Sequence, residues 1–201
     1  MYINFEVKPK QRGIFVHIPR AAGTTVSRHI WPWASRMFLA HATASFVRDN
    51  IGKRQWDKYF TFAFVRNPWE RIVSYYLLYR EYTQYNKIDR RISFDDFLEH
   101  DSLIMGSFGY NGWLLSEEMW SQKIFITNHL DSKEIIVDFI GKFEDFDKDF
   151  GFVCDKLEIN KNWRKKNANS KYDYRDYYTD ETRKLIEKRC RWEIEKFGYE
   201  Y

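Results

Sequence analysis

The sequence predicts a three-layer α/β domain in which helices flank a mostly parallel central sheet. Residues 59–65 (YFTFAFV) are rich in aromatic and β-branched residues and carry no charge, as is typical of a strand buried on both faces of a parallel sheet. Residues 13–18 (GIFVHI) form a second short apolar segment. Helical patterns alternate with these strands along the chain, and such alternation indicates an α/β fold.

The length and composition fit one globular domain. With 201 residues, of which 44% are hydrophobic and 31% are charged, we expect a single domain over residues 1–201 with a substantial core. No apolar run approaches the roughly 18 residues that a membrane-spanning helix needs. Residues 1–10 also lack the apolar stretch of a signal peptide. These features predict a cytoplasmic protein without a membrane span.

The turn that follows the first strand leads into a helix. Thr24 or Thr25 can cap this helix, which runs toward Ile30. Thr43 can cap a second helix, which Gly52 ends because glycine readily adopts the backbone conformation needed after a helix. Two helices are therefore expected before the central strand.

The central strand is followed by a clear helix start. Asn67 is a good N-cap, and Pro68 suits the first helical position, where no backbone N–H is needed. Further on, Ser93 and Asp96 have the spacing of a capping box at the start of a short helix through Glu99.

The C-terminal half of the chain contains the remaining expected elements. Strands are expected at 123–127 (KIFIT) and 135–143, and a helix at 145–157. The last helix is expected to begin at Thr179, and Gly198 ends it. These elements complete the predicted α/β pattern.

Charge and cysteine content narrow the range of functions. The formal net charge of +4 favours anionic ligands but is too small and too mixed to indicate nucleic-acid binding. Cys154 and Cys190 do not form a CxxC pair, and no pair among the histidines has metal-ligand spacing. We therefore expect two ordinary buried thiols and no metal site.

The first segment that carries chemistry is 17–25 (HIPRAAGTT), between the first strand and the first helix. A strand, a turn with glycine and hydroxyl residues, and a helix start can direct backbone N–H groups at one anion. The segment lacks the Gly-Lys-Ser/Thr of a Walker A loop. Taken alone, it fits either an anion-binding loop or a plain turn in which Gly23 permits a tight bend.

The second segment is 64–74 (FVRNPWERIVS). Arg66 follows a fully apolar strand at the carboxyl edge of the predicted sheet, where open α/β sheets bind ligands, and it needs an anionic partner there. Arg71 and Ser74 share one face of the following helix. Arg66 and Ser74 are thus candidates for binding one phosphate, although Arg71 can equally be a solvated helix charge and Ser74 a small packing residue.

Together, the two segments resemble those of the sulfotransferases, in particular the branch of carbohydrate and heparan-type O-sulfotransferases and their small bacterial relatives. Further matches occur in order along the chain, at residues 41–44 (HATA), 137–144 (VDFIGKFE), 167–178 and 197–199 (FGY). The stretch 83–122, which faces the acceptor in that family, matches only weakly.

The resemblance implies a P-loop-like version of the α/β fold and transfer of a sulfuryl group from 3′-phosphoadenosine-5′-phosphosulfate (PAPS) to a hydroxyl of a carbohydrate, with PAP as the product. It assigns the 5′-phosphosulfate to Arg20, Gly23, Thr24 and Thr25, the 3′-phosphate to Arg66 and Ser74, and a basic loop over the nucleotide to Ser170 and Lys171.

The resemblance also identifies the two candidate catalytic residues. His41 falls where related enzymes carry the general base, and histidine titrates nearest neutral pH. Arg20 falls where the family usually has lysine, which contacts the bridging oxygen and supports the leaving phosphate. Arginine supplies charge and hydrogen bonds but does not readily give up a proton, so the substitution bears on the rate. We expect His17, His29, His100 and His129 to be structural or exposed.

Two other functions fit parts of the sequence. One is a P-loop kinase-like enzyme, since residues 135–138 (IIVD) resemble a Walker B strand. The other is a catalytically impaired module that binds PAP, another nucleotide or a glycan. The missing Gly-Lys-Ser/Thr counts against the kinase, whereas binding of PAP without turnover would favour the module.

Overall fold

A computed structural model of the protein describes residues 7–8, 13–30, 41–85, 92–99, 120–129, 132–163 and 172–201. The chain forms two compact units. The first, which we call the sheet unit, comprises residues 1–66 and 123–169, and the second, the helical unit, comprises residues 67–122 and 170–201. No helix within the described ranges is long and apolar enough to cross a membrane.

The sheet unit is built on four strands, which are β1 (Val7–Lys8), β2 (Gly13–Val16), β3 (Phe60–Val65) and β4 (Phe139–Lys142). They lie in the order β1-β2-β3-β4. The pairs β2–β3 and β3–β4 are parallel, and β1 pairs with β2 in the antiparallel direction. Helices flank the three parallel strands. The predicted α/β fold with a mostly parallel sheet is therefore confirmed, with the 59–65 segment at its centre.

The helices in the described residues are α1 (Gly23–Ile30), α2 (Ala44–Ile51), α3 (Lys53–Trp56), α4 (Pro68–Tyr85), α5 (Phe94–Glu99), α6 (Lys123–Ile126), α7 (Phe146–Lys156), α8 (Asp180–Arg189) and α9 (Arg191–Phe197), with a 3₁₀ turn at Tyr174–Tyr177. Several helix starts obey the expected capping rules. The Thr43 side chain accepts from the N–H of Phe46 at 3.2 Å, and Ser93 and Asp96 form a reciprocal capping box.

Two predicted elements differ from the structure near their ends. The first helix begins at Gly23, so Thr24 and Thr25 lie inside its first turn and do not cap it. The carbonyl of Ala22 accepts from the N–H groups of Thr25 and Val26 at 2.9 and 3.2 Å, which places the helix start before both threonines. The last helix is broken at Cys190 into α8 and α9.

The predicted strand at 123–127 is wrong. Residues Lys123–Ile126 form a helical turn, closed by a 3.1 Å bond from the N–H of Thr127 to the carbonyl of Lys123. Thr127 and Ile135 make a single antiparallel bridge, and the later strand shortens to Phe139–Lys142. Short apolar runs fit a buried helical turn as well as a strand, because periodicity cannot separate them.

The core of the sheet unit is aromatic. Phe64 is fully buried in β3, and its ring packs against Phe146 and Phe150 of α7 with centroids 5.2 and 6.1 Å away. Gly141 of β4 lies beside this cluster, where an added Cβ would come within 2.5 Å of Cε1 of Phe64. Glycine at 141 is therefore required by the close approach of the ring.

Replacing Gly141 with alanine should destabilise the protein. The Phe64 ring and the neighbouring Asp149 side chain would have to shift, and overpacking of this kind costs about 1–3 kcal/mol. Gly151, inside α7, is a matched control, because its added Cβ would meet Trp163 only at 3.9 Å. Gly151→Ala should gain about 0.5–1 kcal/mol through helix propensity. Urea unfolding measures both changes, and equal effects would contradict the packing described for Gly141.

Candidate functional site

The loop between β2 and α1 has an unusual backbone. Arg20 and Ala22 both adopt the left-handed conformation, with φ values of 65° and 64°. This conformation costs a non-glycine residue roughly 1–3 kcal/mol, and such strain clusters at functional sites. A left-handed residue among right-handed ones turns successive N–H groups toward a common point, which suits an anion. The loop then opens directly into the N-terminus of α1, which is also favourable for negative charge.

Gly23 permits a close approach between the loop and His17. A Cβ at position 23 would lie 1.6 Å from Nε2 of the His17 ring. No L-residue with a side chain fits there unless the imidazole moves. The glycine predicted for a tight bend is thus needed for side-chain packing, since its φ is not among the positive values.

His17 follows the last residue of β2, and its imidazole belongs to a ring cluster. It stacks on Phe15 with centroids 5.4 Å apart and lies 4.6 Å from the ring of His41. Desolvation, followed by repulsion from His41, lowers the pKa of His17 well below its usual value of 6.5. His17 is therefore neutral at physiological pH.

His41 is held beside the loop by its partner in this cluster. Its Nδ1 lies 3.2 Å from the carbonyl oxygen of His17. The side chain is half-buried, in contact with the same residue that packs on Gly23. The structure thus brings the predicted general base next to the predicted anion loop, although residues 31–40 lie between α1 and His41 in the chain.

Arg66 connects the end of β3 to the loop. Its Nη1 donates to the carbonyl oxygen of Arg20 at 3.2 Å, and its guanidinium lies 4.1 Å from the centroid of the Phe143 ring. The residue is 6% exposed, so it is a cation held in a largely buried position. A cation so placed favours binding of an anion beside the loop.

The other residues predicted to bind the donor differ in accessibility. Within the loop and helix start, Arg20 is half-buried, Thr24 is exposed, and Gly23 and Thr25 are buried. Arg20 and Thr24 can therefore meet a ligand from solvent with their side chains. The backbone of Gly23 contributes through its conformation and its position at the helix start.

Ser74 lies on α4 of the helical unit and is 3% exposed. On the same helix, Arg71 is completely buried and donates from Nη1 to the carbonyl of Trp120 at 3.1 Å. The interpretation of Arg71 as a solvated charge is therefore wrong. The assignment of Ser74 to a phosphate stays a prediction, and Ser170 and Lys171 lie outside the described residues.

Asp138, the aspartate of the Walker B-like segment, lies at the wrong edge of the sheet for a kinase. It precedes β4, and its carboxylate accepts from the N–H and hydroxyl of Thr61, the second residue of β3, at 2.8 and 2.9 Å. The anion loop follows the carboxyl end of β2, and the three strands are parallel. Asp138 is thus separated from the loop by the length of a strand, roughly 10 Å or more.

Metal and thiol chemistry have no visible site in the described part of the chain. No group of three or more histidine, cysteine or carboxylate side chains there is arranged to hold a metal. Cys154 and Cys190 are free and buried. Burial raises the pKa of Cys154 to about 11 and raises that of Cys190 further still. Both thiols are therefore packing groups, as expected from the sequence.

Sequence reasoning missed two features of the site. It treated His17 as a structural residue of the strand, whereas the ring joins Gly23 to His41. It also gave no sign that Arg20 and Ala22 are left-handed, because neither residue type favours that conformation. The only sequence signal for the ring contact was that His17 lies close to Gly23 in the chain.

The lowered pKa of His17 makes stability depend on pH in a defined direction. Below about pH 6.5, the unfolded chain takes up a proton at position 17 and the folded protein does not. The free energy of unfolding should therefore fall with decreasing pH, by at most about 1.4 kcal/mol per pH unit from this group. In His17→Phe, urea unfolding between pH 7.5 and 5 should show a shallower fall. His29→Ala is the matched control, and parallel curves for parent and His17→Phe would refute the prediction.

The chain is similar to known proteins over most of its length. The model of the sulfotransferase family matches residues 4–200, which covers both compact units. The chain is also 30% identical over 113 residues to an uncharacterized protein of Archaeoglobus fulgidus, a match that covers 56% of this chain and 79% of that protein. No solved structure matches significantly. On the strength of the family match and its α/β fold, the chain belongs to the sulfotransferase family.

Proposed function

We propose that this sulfotransferase moves a sulfuryl group from PAPS to a hydroxyl of a carbohydrate. The observation that carries the proposal is the strained loop at Arg20 and Ala22, joined to the buried cation of Arg66 and flanked by His41. Family membership supports sulfuryl transfer in general. The donor and the carbohydrate acceptor rest on the resemblance of the two motif segments to carbohydrate and heparan-type enzymes.

The loop suits the 5′-phosphosulfate of the donor. Backbone N–H groups of the loop and of the start of α1 can donate hydrogen bonds to the anion. Arg20 and Thr24 add a cation and a hydroxyl from the side that solvent reaches. Arg66 supplies a second cation, which we assign to the 3′-phosphate. Arg20 on the loop and Arg66 after β3, joined by the bond to the Arg20 carbonyl, match a ligand with anionic groups at both ends of its ribose.

The reaction is an in-line displacement at sulfur. The acceptor oxygen forms a bond to sulfur while the bond from sulfur to the bridging oxygen breaks, and its electron pair leaves with PAP. Nε2 of His41 takes the acceptor's proton. Arg20 neutralises the charge that develops on the bridging oxygen, and positioning with charge stabilisation supplies most of the catalysis, as in phosphoryl transfer.

The kinase alternative is weakened by Asp138. A magnesium-holding aspartate has to lie beside the phosphate loop, whereas Asp138 is bonded to Thr61 near the start of β3. The alternative of an inactive binding module rests on Arg20 in place of the usual lysine. Arg20 is half-buried and lies in the loop with a left-handed backbone, and we propose that its guanidinium serves the donor as a cation in place of lysine.

Arg66→Ala should weaken PAP binding by about 10- to 150-fold, the loss expected for a charge-assisted clamp of roughly 1.5–3 kcal/mol. Because Arg66 also bonds the Arg20 carbonyl, the substitution can disturb the loop itself. Calorimetry with adenosine-5′-phosphosulfate, which lacks the 3′-phosphate, separates the two effects. If its affinity falls as much as that of PAP, Arg66 acts through the loop and the 3′-phosphate assignment fails.

Arg20→Ala should lower the rate of sulfuryl transfer by roughly 100- to 1,000-fold, because a preorganised cation is lost in the transition state. Arg20→Lys should retain measurable activity. Alanine, lysine and arginine all carry a Cβ, so the cost of the left-handed backbone is similar in the three proteins. Single-turnover transfer at saturating PAPS measures the rates, and activity confined to the lysine form would identify the parent as a binding module.

A further inference from the structure

His41 contacts two different parts of the same residue, His17. Its Nδ1 lies 3.2 Å from the carbonyl oxygen of His17, and its ring lies 4.6 Å from the His17 ring at an interplanar angle of 57°. One contact fixes an edge of the imidazole and the other fixes its plane. The proposed general base is thus oriented by a residue 24 positions earlier in the chain.

The hydrogen bond determines which nitrogen of neutral His41 carries the proton. A carbonyl oxygen can only accept, so Nδ1 must be the donor and carry the hydrogen. In the neutral ring, Nε2 then holds the lone pair. The Nδ1–H form is the minor tautomer of a free histidine side chain. The hydrogen bond to the His17 carbonyl therefore favours the tautomer that is less populated in the free side chain.

The His17 ring is itself fixed by contacts on two sides. It stacks on Phe15 at an interplanar angle of 19°, and its Nε2 edge fills the space left by the missing side chain of Gly23. Its position is therefore defined by β2 on one side and by the start of α1 on the other. Because the His17 ring is fixed in this way, its contact with His41 holds His41 at a constant position relative to the anion loop.

We propose that His17 is the positioning residue for His41, holding it as the Nδ1–H tautomer with Nε2 presented to the acceptor hydroxyl. The inference rests on the proposed function in that His41 is taken to be the general base. When the acceptor's proton moves to Nε2, the imidazolium keeps its bond to the His17 carbonyl. The neutral His17 ring adds no opposing charge at that moment.

The tautomer is measured directly by long-range ¹⁵N–¹H correlation NMR of the ¹⁵N-labelled, ligand-free protein above pH 7.5. We expect Nδ1 of His41 to be protonated and Nε2 to be unprotonated, with the signals assigned by their loss in His41→Ala. A majority of the Nε2–H tautomer in the parent protein would overturn the proposal. This readout requires no acceptor and no activity, so it is independent of the proposed function.

The role of the ring is tested with His17→Ala and His17→Phe. His17→Ala removes the ring that contacts His41, so the Nε2–H tautomer should become the majority at His41 and kcat should fall at least tenfold. PAP affinity should fall by a smaller factor, through loss of the contact between the ring and Gly23. His17→Phe keeps an aromatic ring in contact with His41 and should restore most of both properties. His29→Ala, which removes a histidine of α1 bonded to the Asn160 carbonyl, should change neither.

Three results separate the positioning role from its alternatives. If His17→Ala binds PAP normally and keeps both the Nδ1–H tautomer and the parent kcat, the proposal is wrong. If its PAP affinity and kcat fall by the same factor and the Nδ1–H tautomer is kept, His17 only supports the loop, and the proposal is wrong as well. If the parent shows the Nδ1–H tautomer but His41→Ala retains full kcat, the geometry stands while the general-base role in the proposed function fails.

Discussion

The contact between the His17 ring and the Cα of Gly23 is the constraint on which the rest of the site depends. An imidazole occupies the place where any other L-residue would put its Cβ, at 1.6 Å from Nε2. This contact fixes the end of β2 against the start of α1. The loop between them has to turn within a few residues, and it does so with left-handed Arg20 and Ala22. Backbone strain of this kind clusters at functional sites, and such a turn suits an anion.

The nearly buried cation beside this loop has protein contacts in place of part of its water. Arg66 is nearly buried, yet its guanidinium bonds the Arg20 carbonyl and lies over Phe143, so part of its hydration is replaced by protein contacts. His17 stays neutral, which avoids a third cation. Positive charge is therefore concentrated in two arginines, whose charge does not vary over the physiological pH range. His41, Arg66 and the loop between β2 and α1 all belong to the sheet unit, whereas Ser74 belongs to the helical unit.

Much of the fold was predictable from local rules. The β3 segment, the Asn67–Pro68 helix start and the Thr43 cap were readable because composition and capping act over a few residues. The 123–127 segment was not, since a run of only three apolar residues suits either element. At the site, the residue types of Arg20, Gly23 and His41 could be found from motifs. Their geometry could not, because the φ of Arg20 and the His17–His41 contact depend on packing between distant segments.

The central claim is that the protein transfers a sulfuryl group from PAPS to a hydroxyl. Incubation of the protein with PAPS and a panel of oligosaccharides, followed by mass spectrometry of the products, tests this claim most directly. The account predicts at least one glycan that gains a single sulfate, with PAP formed in equal amount and no dependence on ATP. A protein that binds PAPS tightly but yields no sulfated product, from glycans or from simple alcohols added as alternative acceptors, would contradict it.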